Sequence, residues 1–300
     1  MCSSIAGTSG QGKCIWAHSV AARARITKYR IYIANGHEDD KGRQEATMPD
    51  MKCKGALPTE ETDVVLLCGG LGTRIRSVLG DTPKALAPIH KRPFILVLMD
   101  YIASFGFSNF ILCVGYRGEA VESMFAAQPT SWHVEFSRET SPQGTGGALR
   151  GARHLTRSRD LLVMNGDSFC AVNLQKMLAF HRLKGAGITM AVAPIKCASE
   201  YGSVRIGEDD RILAFDEKRD DAKQGWVNAG IYVFSRAIVD SLIAQVPLSL
   251  ERDVFPLLAG QSFFAFRSAE RLYDIGTPDR YALAQRKISA IMRKTEIFRD

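Results

Sequence analysis

A glycine-rich string, Leu67, Cys68, Gly69, Gly70, Leu71, Gly72, Thr73, Arg74, is followed ten positions later by Lys84. Gly69, Gly70 and Gly72 carry no side chain where a backbone must come close to phosphate oxygens, and their N–H groups can form an anion-binding concavity. Arg74 and Lys84 then supply two cations for the charge that develops on phosphates, the main catalytic term in phosphoryl-type transfer. The string is not a dinucleotide fingerprint, because Thr73 and Arg74 stand in place of the third glycine. It is not a P-loop either, which would end in Gly-Lys-Ser/Thr. Taken alone, a glycine turn with two solvated cations would be the bland alternative.

Asp167 closes the run Asn165, Gly166, Asp167 directly after the apolar strand Leu161 to Met164. In an open α/β sheet, ligands bind outside the carboxyl ends of the strands. An isolated turn of this kind is more often punctuation than a metal site. Glu217 and Lys218 likewise follow a strand, Ile212 to Phe215, and would by themselves be a solvated charge pair. The histidines His90, His133, His154 and His181 have no ligand spacing and are read as structural or exposed.

The elements that must position these groups begin at Asp63. Val64 to Cys68 is apolar throughout, as a strand buried on both faces requires. The pattern predicts a helix from Pro93 to Gly106 with one apolar face and a strand from Phe110 to Val114. A helix near Glu119 to Phe125 and a strand near Val134 to Phe136 follow. After the glycines at 144–147 a helix carries Leu149 to Leu155. Strand-like runs dominate the second half (Ile188 to Val192, Val204 to Ile206, Ile212 to Phe215, Ile231 to Phe234), and a helix from Pro278 to Met292 closes it. Alternation of strand and helix, then strands with few long helices, predicts an α/β fold with a mixed, mostly parallel central sheet and an antiparallel substrate lobe.

Bulk properties exclude several classes. The formal charge of +7 is spread thinly, without a Lys/Arg block or basic-aromatic alternation, which argues against nucleic acid. No apolar run approaches a membrane span. Seven scattered cysteines without a Cys-x-x-Cys pair make a disulfide framework or zinc site a poor fit, and point to a reducing cytoplasm. Residues 1–37 hold five Lys/Arg and no Asp or Glu, superficially like a transit peptide. Residues 1–58 are set aside as an N-terminal extension, read as disordered or as a mis-assigned start; 59–300 is read as the functional domain. Self-association is compatible with the sequence.

The combination of stations resembles the sugar nucleotidyltransferase family, whose pattern is Gly-Gly-x-Gly-Thr-Arg followed by Pro-Lys. Later stations are similar in order and spacing: Glu139, Gly144 to Ala148, Asn165 to Asp167, Tyr201-Gly202, Glu217-Lys218, Asn228 to Gly230, and Asp274 to Pro278. The resemblance implies a three-layer α/β/α, Rossmann-like and GT-A-like fold with a small sugar-binding lobe. It implies Mg²⁺ held by Asp167 and Asp274, and catalysis by Arg74, Lys84 and Lys218. Leu67, Gly69, Gly70, Gly72, Thr73, Glu139, Gly144 and Thr145 would bind the nucleotide. Asn165, Tyr201, Gly202, Glu217, Lys218 and Asn228 would bind the sugar phosphate.

The same resemblance implies an NTP, GTP by closest likeness, and D-glycero-α-D-manno-heptose 1-phosphate as substrates, for surface polysaccharide synthesis. An ionised Glu139 at the base edge can accept from both N1–H and the exocyclic amine of guanine. Mannose, glucose or N-acetylmuramic acid 1-phosphate with GTP, UTP or dTTP is the near alternative. A non-catalytic sugar-nucleotide-binding homologue is a distant one, disfavoured by intact Arg74, Lys84, Asp167 and Asp274.

Overall fold

The computed structural model describes residues 59–128, 130–195, 202–217 and 225–294. The expectations for residues 1–58, for Tyr201 and for Lys218 lie outside the described residues. In chain order, β1 (Asp63–Leu67) leads into a loop with short helical turns at Thr73–Ile75, Arg76–Leu79 and Lys84–Leu86. A two-strand ribbon, β2 (Pro88–Ile89) and β3 (Arg92–Pro93), precedes α1 (Phe94–Ala103). Then come β4 (Asn109–Val114), α2 (Gly118–Ala127), β5 (His133–Arg138), α3 (Gly144–Ala152), β6 (Asp160–Asn165) and β7 (Ser168–Phe169). After α4 (Leu174–Leu183) the chain forms β8 (Ile188–Ile195), β9 (Gly202–Ile206), β10 (Ile212–Glu217) and β11 (Gly225–Ser235). It ends with α5 (Arg236–Ser241), β12 (Phe263–Arg267), β13 (Tyr273–Asp274) and α6 (Pro278–Lys294).

The main sheet runs β10-β9-β11-β6-β1-β4-β5, with β8 also on β11 and β12 on β8. β6, β1, β4 and β5 are parallel neighbours. β11 joins β6, β8 and β9 antiparallel. The sheet is therefore mixed, with a parallel half that carries the glycine loop and an antiparallel half beyond β6.

Alternation along β1 explains the layers. Val64 and Leu66 pack into one apolar cluster with Phe94, Leu98, Met177, Leu178, Ile288 and Met292, which are on α1, α4 and α6. Val65 faces the opposite cluster with Leu149, Ala152, Ile238 and Val239, on α3 and α5. A strand covered on both sides must be apolar at every position, which is how Val64 to Leu67 reads. Phe94 to Met99 are all buried, so α1 lies inside the molecule with Pro93 as its cap. No helix of the described residues is long and apolar enough to cross a membrane.

Two elements differ from their sequence readings. α3 begins at Gly144, so the glycines form its first turn and do not precede it. Leu248 accounts for this: its carbonyl accepts from the N–H groups of Gly146 and Gly147 at 2.8 and 3.1 Å, and its own N–H donates to Gln143 at 2.8 Å. A tertiary clamp thus overrides the poor helix propensity of glycine. β11 begins at Gly225 and takes in Asn228 to Gly230 at a register shift, with only its end matching the predicted Ile231 to Phe234.

Candidate active site

The glycine loop leaves the carboxyl end of β1, beside the carboxyl end of β6, and a cavity of about 320 Å³ opens between them. Leu67, Gly69, Gly70 and Lys84 form one wall. Glu139, Gly144 and Thr145 form a second, and Asn165 and Asp167 the floor. Nine residues assigned from the sequence are therefore brought to one cavity.

Lys84 enters from the far end of the loop, and its Nζ lies 2.9 Å from Asp167 Oδ2. The lysine stem passes over Gly72, which has φ +61°; a Cβ there would stand 3.1 Å from Lys84 Cγ. Glycine at 72 thus serves both the left-handed turn and the passage of the lysine.

Asp274 reaches the same place from the end of the chain. β13 pairs antiparallel with β7, setting Asp274 opposite Ser168, and the Ile275 N–H donates to the Asp167 carbonyl at 3.0 Å. Asp274 Oδ1 accepts from the Gly276 N–H at 2.9 Å and faces Arg280 Nη1 at 3.4 Å. Arg74 arrives at this turn as well, its Nη2 3.7 Å from where a Cβ on Gly276 would be. Burial, and then the neighbouring Arg74, lower the pKa of the Arg280 guanidinium. Arg74 and Thr73 lie in an exposed turn beside the cavity and not in its wall.

Glu139 follows β5 and turns back under the glycine loop. Its Oε2 lies 3.0 Å from a Cβ position on Gly69, so a larger residue there would collide with the carboxylate. Burial raises the Glu139 pKa above the usual glutamate value, opposed by a hydrogen bond from the Gln143 backbone. The Thr145 hydroxyl is engaged within the chain: Oγ1 donates to Glu251 Oε2 at 2.7 Å and accepts from the Leu250 N–H at 2.9 Å. Its hydroxyl thereby ties α3 to the turn at Leu250–Val254. Cys68 lines the cavity as a free thiol, with a pKa that burial, aided by Asp167, pushes up to about 12.

Farther along the sheet, Asn228 Nδ2 donates to the Tyr232 hydroxyl at 2.7 Å, and Asn165 also bonds that hydroxyl. Asn165 lines the cavity, and its Oδ1 is buried without a hydrogen-bond partner. Gly202 opens β9 and pairs with Glu217 in β10. The Glu217 side chain, like Tyr201 and Lys218, lies outside what the structure describes.

No group of three or more His, Cys, Asp or Glu in a metal-binding arrangement occurs among the described residues. Two carboxylates, Asp274 on β13 and Asp167 just before its partner β7, still fit magnesium, which takes hard oxygen donors and completes its octahedron with phosphate oxygens and waters.

Residues 63–290 match the family described as Nucleotidyl transferase. The chain belongs to that family. The nucleotidyltransferase is 34% identical over 227 residues to the D-glycero-alpha-D-manno-heptose 1-phosphate guanylyltransferase of Aneurinibacillus thermoaerophilus, covering 75% of this chain and 98% of that one. It is 32% identical to the mannose-1-phosphate guanylyltransferase of Mycobacterium tuberculosis over 75% of this chain, which spans 64% of that relative. Among solved structures, HddC from Yersinia pseudotuberculosis complexed with GMP-PN superposes with a TM-score of 0.67 at 31% identity. That match covers 75% of this chain and 99% of the other.

Two residues that contact assigned site residues escaped the sequence reading, Arg280 and Glu251. Arg280 stands six positions after Asp274, within one helical turn of Thr277, where the Thr277 Oγ1 accepts its N–H at 3.4 Å. That spacing was a usable signal. Glu251 had none, since the pairing of Thr145 with it spans 106 positions.

Proposed function

We propose that this nucleotidyltransferase moves GMP from GTP to D-glycero-α-D-manno-heptose 1-phosphate, giving the GDP-sugar and pyrophosphate. The observation that carries the reading is the meeting of the glycine loop, Lys84, Asp167 and Glu139 around one cavity at the carboxyl ends of parallel strands. The names of the relatives support guanylyl transfer and a manno-configured sugar phosphate. Mannose 1-phosphate is the second acceptor to consider, because the Mycobacterium tuberculosis relative is of similar identity.

In the reaction a phosphate oxygen of the sugar phosphate attacks the α-phosphorus of GTP. The bond from that phosphorus to the bridging oxygen breaks, and pyrophosphate leaves with the electron pair. The nucleophile arrives ionised, so no covalent enzyme intermediate is needed. Gly69 and Gly70 present backbone to the phosphates, while Lys84 and Arg74 oppose their charge. Glu139 faces the base edge, where guanine offers two donors and uracil or thymine one. Lys218 is the proposed anchor of the sugar phosphate, on the side of the cavity lined by Asn165. Mg²⁺, held by Asp167 and Asp274, would supply charge neutralisation between the two phosphates.

A reducing cytoplasm fits Cys68, Cys113 and Cys170, which are free thiols, and the proposed GDP-sugar product is of the class that surface polysaccharide synthesis consumes. The test crosses GTP, ATP, UTP and dTTP with heptose 1-phosphate and mannose 1-phosphate and follows pyrophosphate. GTP with the heptose is expected to be fastest. A clear preference for UTP or dTTP would remove the guanylyl assignment and leave nucleotidyl transfer standing.

A further inference from the structure

Each of the two carboxylates assigned to the metal already holds a cation of the chain itself. Lys84 Nζ is 2.9 Å from Asp167 Oδ2, with side-chain exposures of 15% and 40%. Arg280 Nη1 is 3.4 Å from Asp274 Oδ1, with exposures of 20% and 13%. The pairs are neighbours, since the Asp167 carbonyl accepts the Ile275 N–H and Asp274 sits opposite Ser168 in the β7–β13 ribbon. Arg74 reaches the same turn from the glycine loop. Three cations and two carboxylates thus share one end of the sheet.

Such an arrangement is poorly suited to either ligand alone. A bare divalent cation must displace Lys84 and Arg280 from the carboxylates, and it does so beside three positive side chains. A bare triphosphate meets cations that are committed to aspartates and two carboxylates that repel it. When both arrive, the partners exchange: the carboxylates turn to the metal and the freed cations turn to the phosphates. The number of opposite-charge pairs is kept and no charge is left buried without a partner.

We infer that Arg280 is a positioning residue of this kind, a resident counter-ion on Asp274 that makes metal and nucleotide binding depend on one another. The inference rests on the proposed reading of Asp167 and Asp274 as the metal carboxylates. Arg280 differs from Lys84 in being absent from the cavity wall, so its contribution can be separated from direct phosphate contact.

The test is a titration of the full chain with Mn²⁺, read from the electron paramagnetic resonance signal of the free ion, with and without a β,γ-imido analogue of GTP. Wild-type protein should bind Mn²⁺ about tenfold more tightly when the analogue is present. Arg280→Leu should bind Mn²⁺ alone about fivefold more tightly than wild type, the effect of removing a partly screened ion pair. The ratio of affinities with and without nucleotide should shrink by the same factor, and Arg280→Lys should restore both values. If Arg280→Leu leaves the affinity for Mn²⁺ alone unchanged or weaker, the counter-ion role is overturned. If Arg280→Leu does not fold, Arg280→Gln is titrated against the same two outcomes. Asp167→Asn and Asp274→Asn report separately on the reading beneath: wild-type Mn²⁺ affinity in either would remove that aspartate from the metal site, whatever Arg280 does.

Discussion

Lys84 Nζ stands 2.9 Å from Asp167 Oδ2, although 83 positions separate them. The loop cation and the carboxylate of the β6 turn are therefore joined before a substrate arrives, and the glycine loop is closed over the end of the sheet by that pair. Gly72, under the lysine stem, is what lets the loop fold so tightly.

Removing either proposed metal carboxylate should stop transfer without unfolding the domain. Asp167→Ala and Asp274→Ala are expected to lose on the order of 10²-fold or more in turnover at saturating Mg²⁺, the scale seen when one charge-stabilising group is lost. Circular dichroism should be unchanged, because both aspartates are at the open end of the sheet. Near wild-type turnover in either variant would show that its carboxylate is not needed for catalysis.

Thr145→Val tests how a residue assigned to the nucleotide is used. Its hydroxyl makes two hydrogen bonds, to Glu251 and from Leu250, and valine makes neither. Glu251 Oε2 keeps its bond from Ser249 Oγ at 3.0 Å, but the Leu250 N–H loses its partner, which should cost about 2 kcal/mol in urea unfolding. KM for the nucleotide should rise only as far as α3 loosens. A large rise in KM with unchanged stability would return Thr145 to direct nucleotide binding.

The parallel half of the fold was legible because a strand buried on both faces must be apolar at each position, and Val64 to Leu67 is. The convergence of the glycine loop, Lys84 and Asp167 on one cavity was legible only through the family resemblance of their order and spacing, since each taken alone has an ordinary structural use. α4 was not read, although Asn173 caps it by accepting the Lys176 N–H at 2.9 Å. Its buried face, Leu174, Met177, Leu178 and His181, keeps helical spacing, but only three of those four are apolar. β12 was missed although Phe263 to Phe266 is an apolar run, and its parallel pairing with β8 has no local signature. The role of Thr145 could not be read locally either, as a threonine after a glycine looks the same whether its hydroxyl meets a phosphate or Glu251.

Glu139→Gln separates base recognition from folding. Burial raises the pKa of this carboxyl, so its ionised form costs stability at neutral pH, and a neutral amide of the same shape relieves that cost. The variant should melt at the same temperature as wild type or higher. Its preference for GTP over ATP should collapse, since glutamine offers one acceptor where the carboxylate offers two. Wild-type binding of GTP should also weaken as the pH falls toward the raised pKa, a decline absent from Glu139→Gln. A variant that keeps full GTP preference would assign base reading to other groups.

The acid sensitivity of the fold should trace to His181. The ring is buried between α4 and the sheet, with Nδ1 2.9 Å from Thr189 Oγ1 and Nε2 3.7 Å from Asp160 Oδ1. Asp160 would favour a charged ring, but its Oδ2 is already taken by Arg182 Nε at 2.8 Å. Burial outweighs the attraction to Asp160, Arg182 and Arg159 add to it, and the pKa falls from 6.5 to about 4. A histidine with a depressed folded pKa is neutral in both states above pH 6.5 and contributes no pH dependence there. As the pH drops below 6.5 the unfolded chain takes up the proton and the folded chain does not, so stability is lost progressively down to about pH 4. The shift corresponds to roughly 3 kcal/mol across that window. Urea unfolding at pH 7.5, 5.5 and 4.5 (about one to two units apart, to span the window) should show wild type losing stability more steeply than His181→Gln, even though the variant starts lower. Parallel declines in the two proteins would place the acid sensitivity elsewhere.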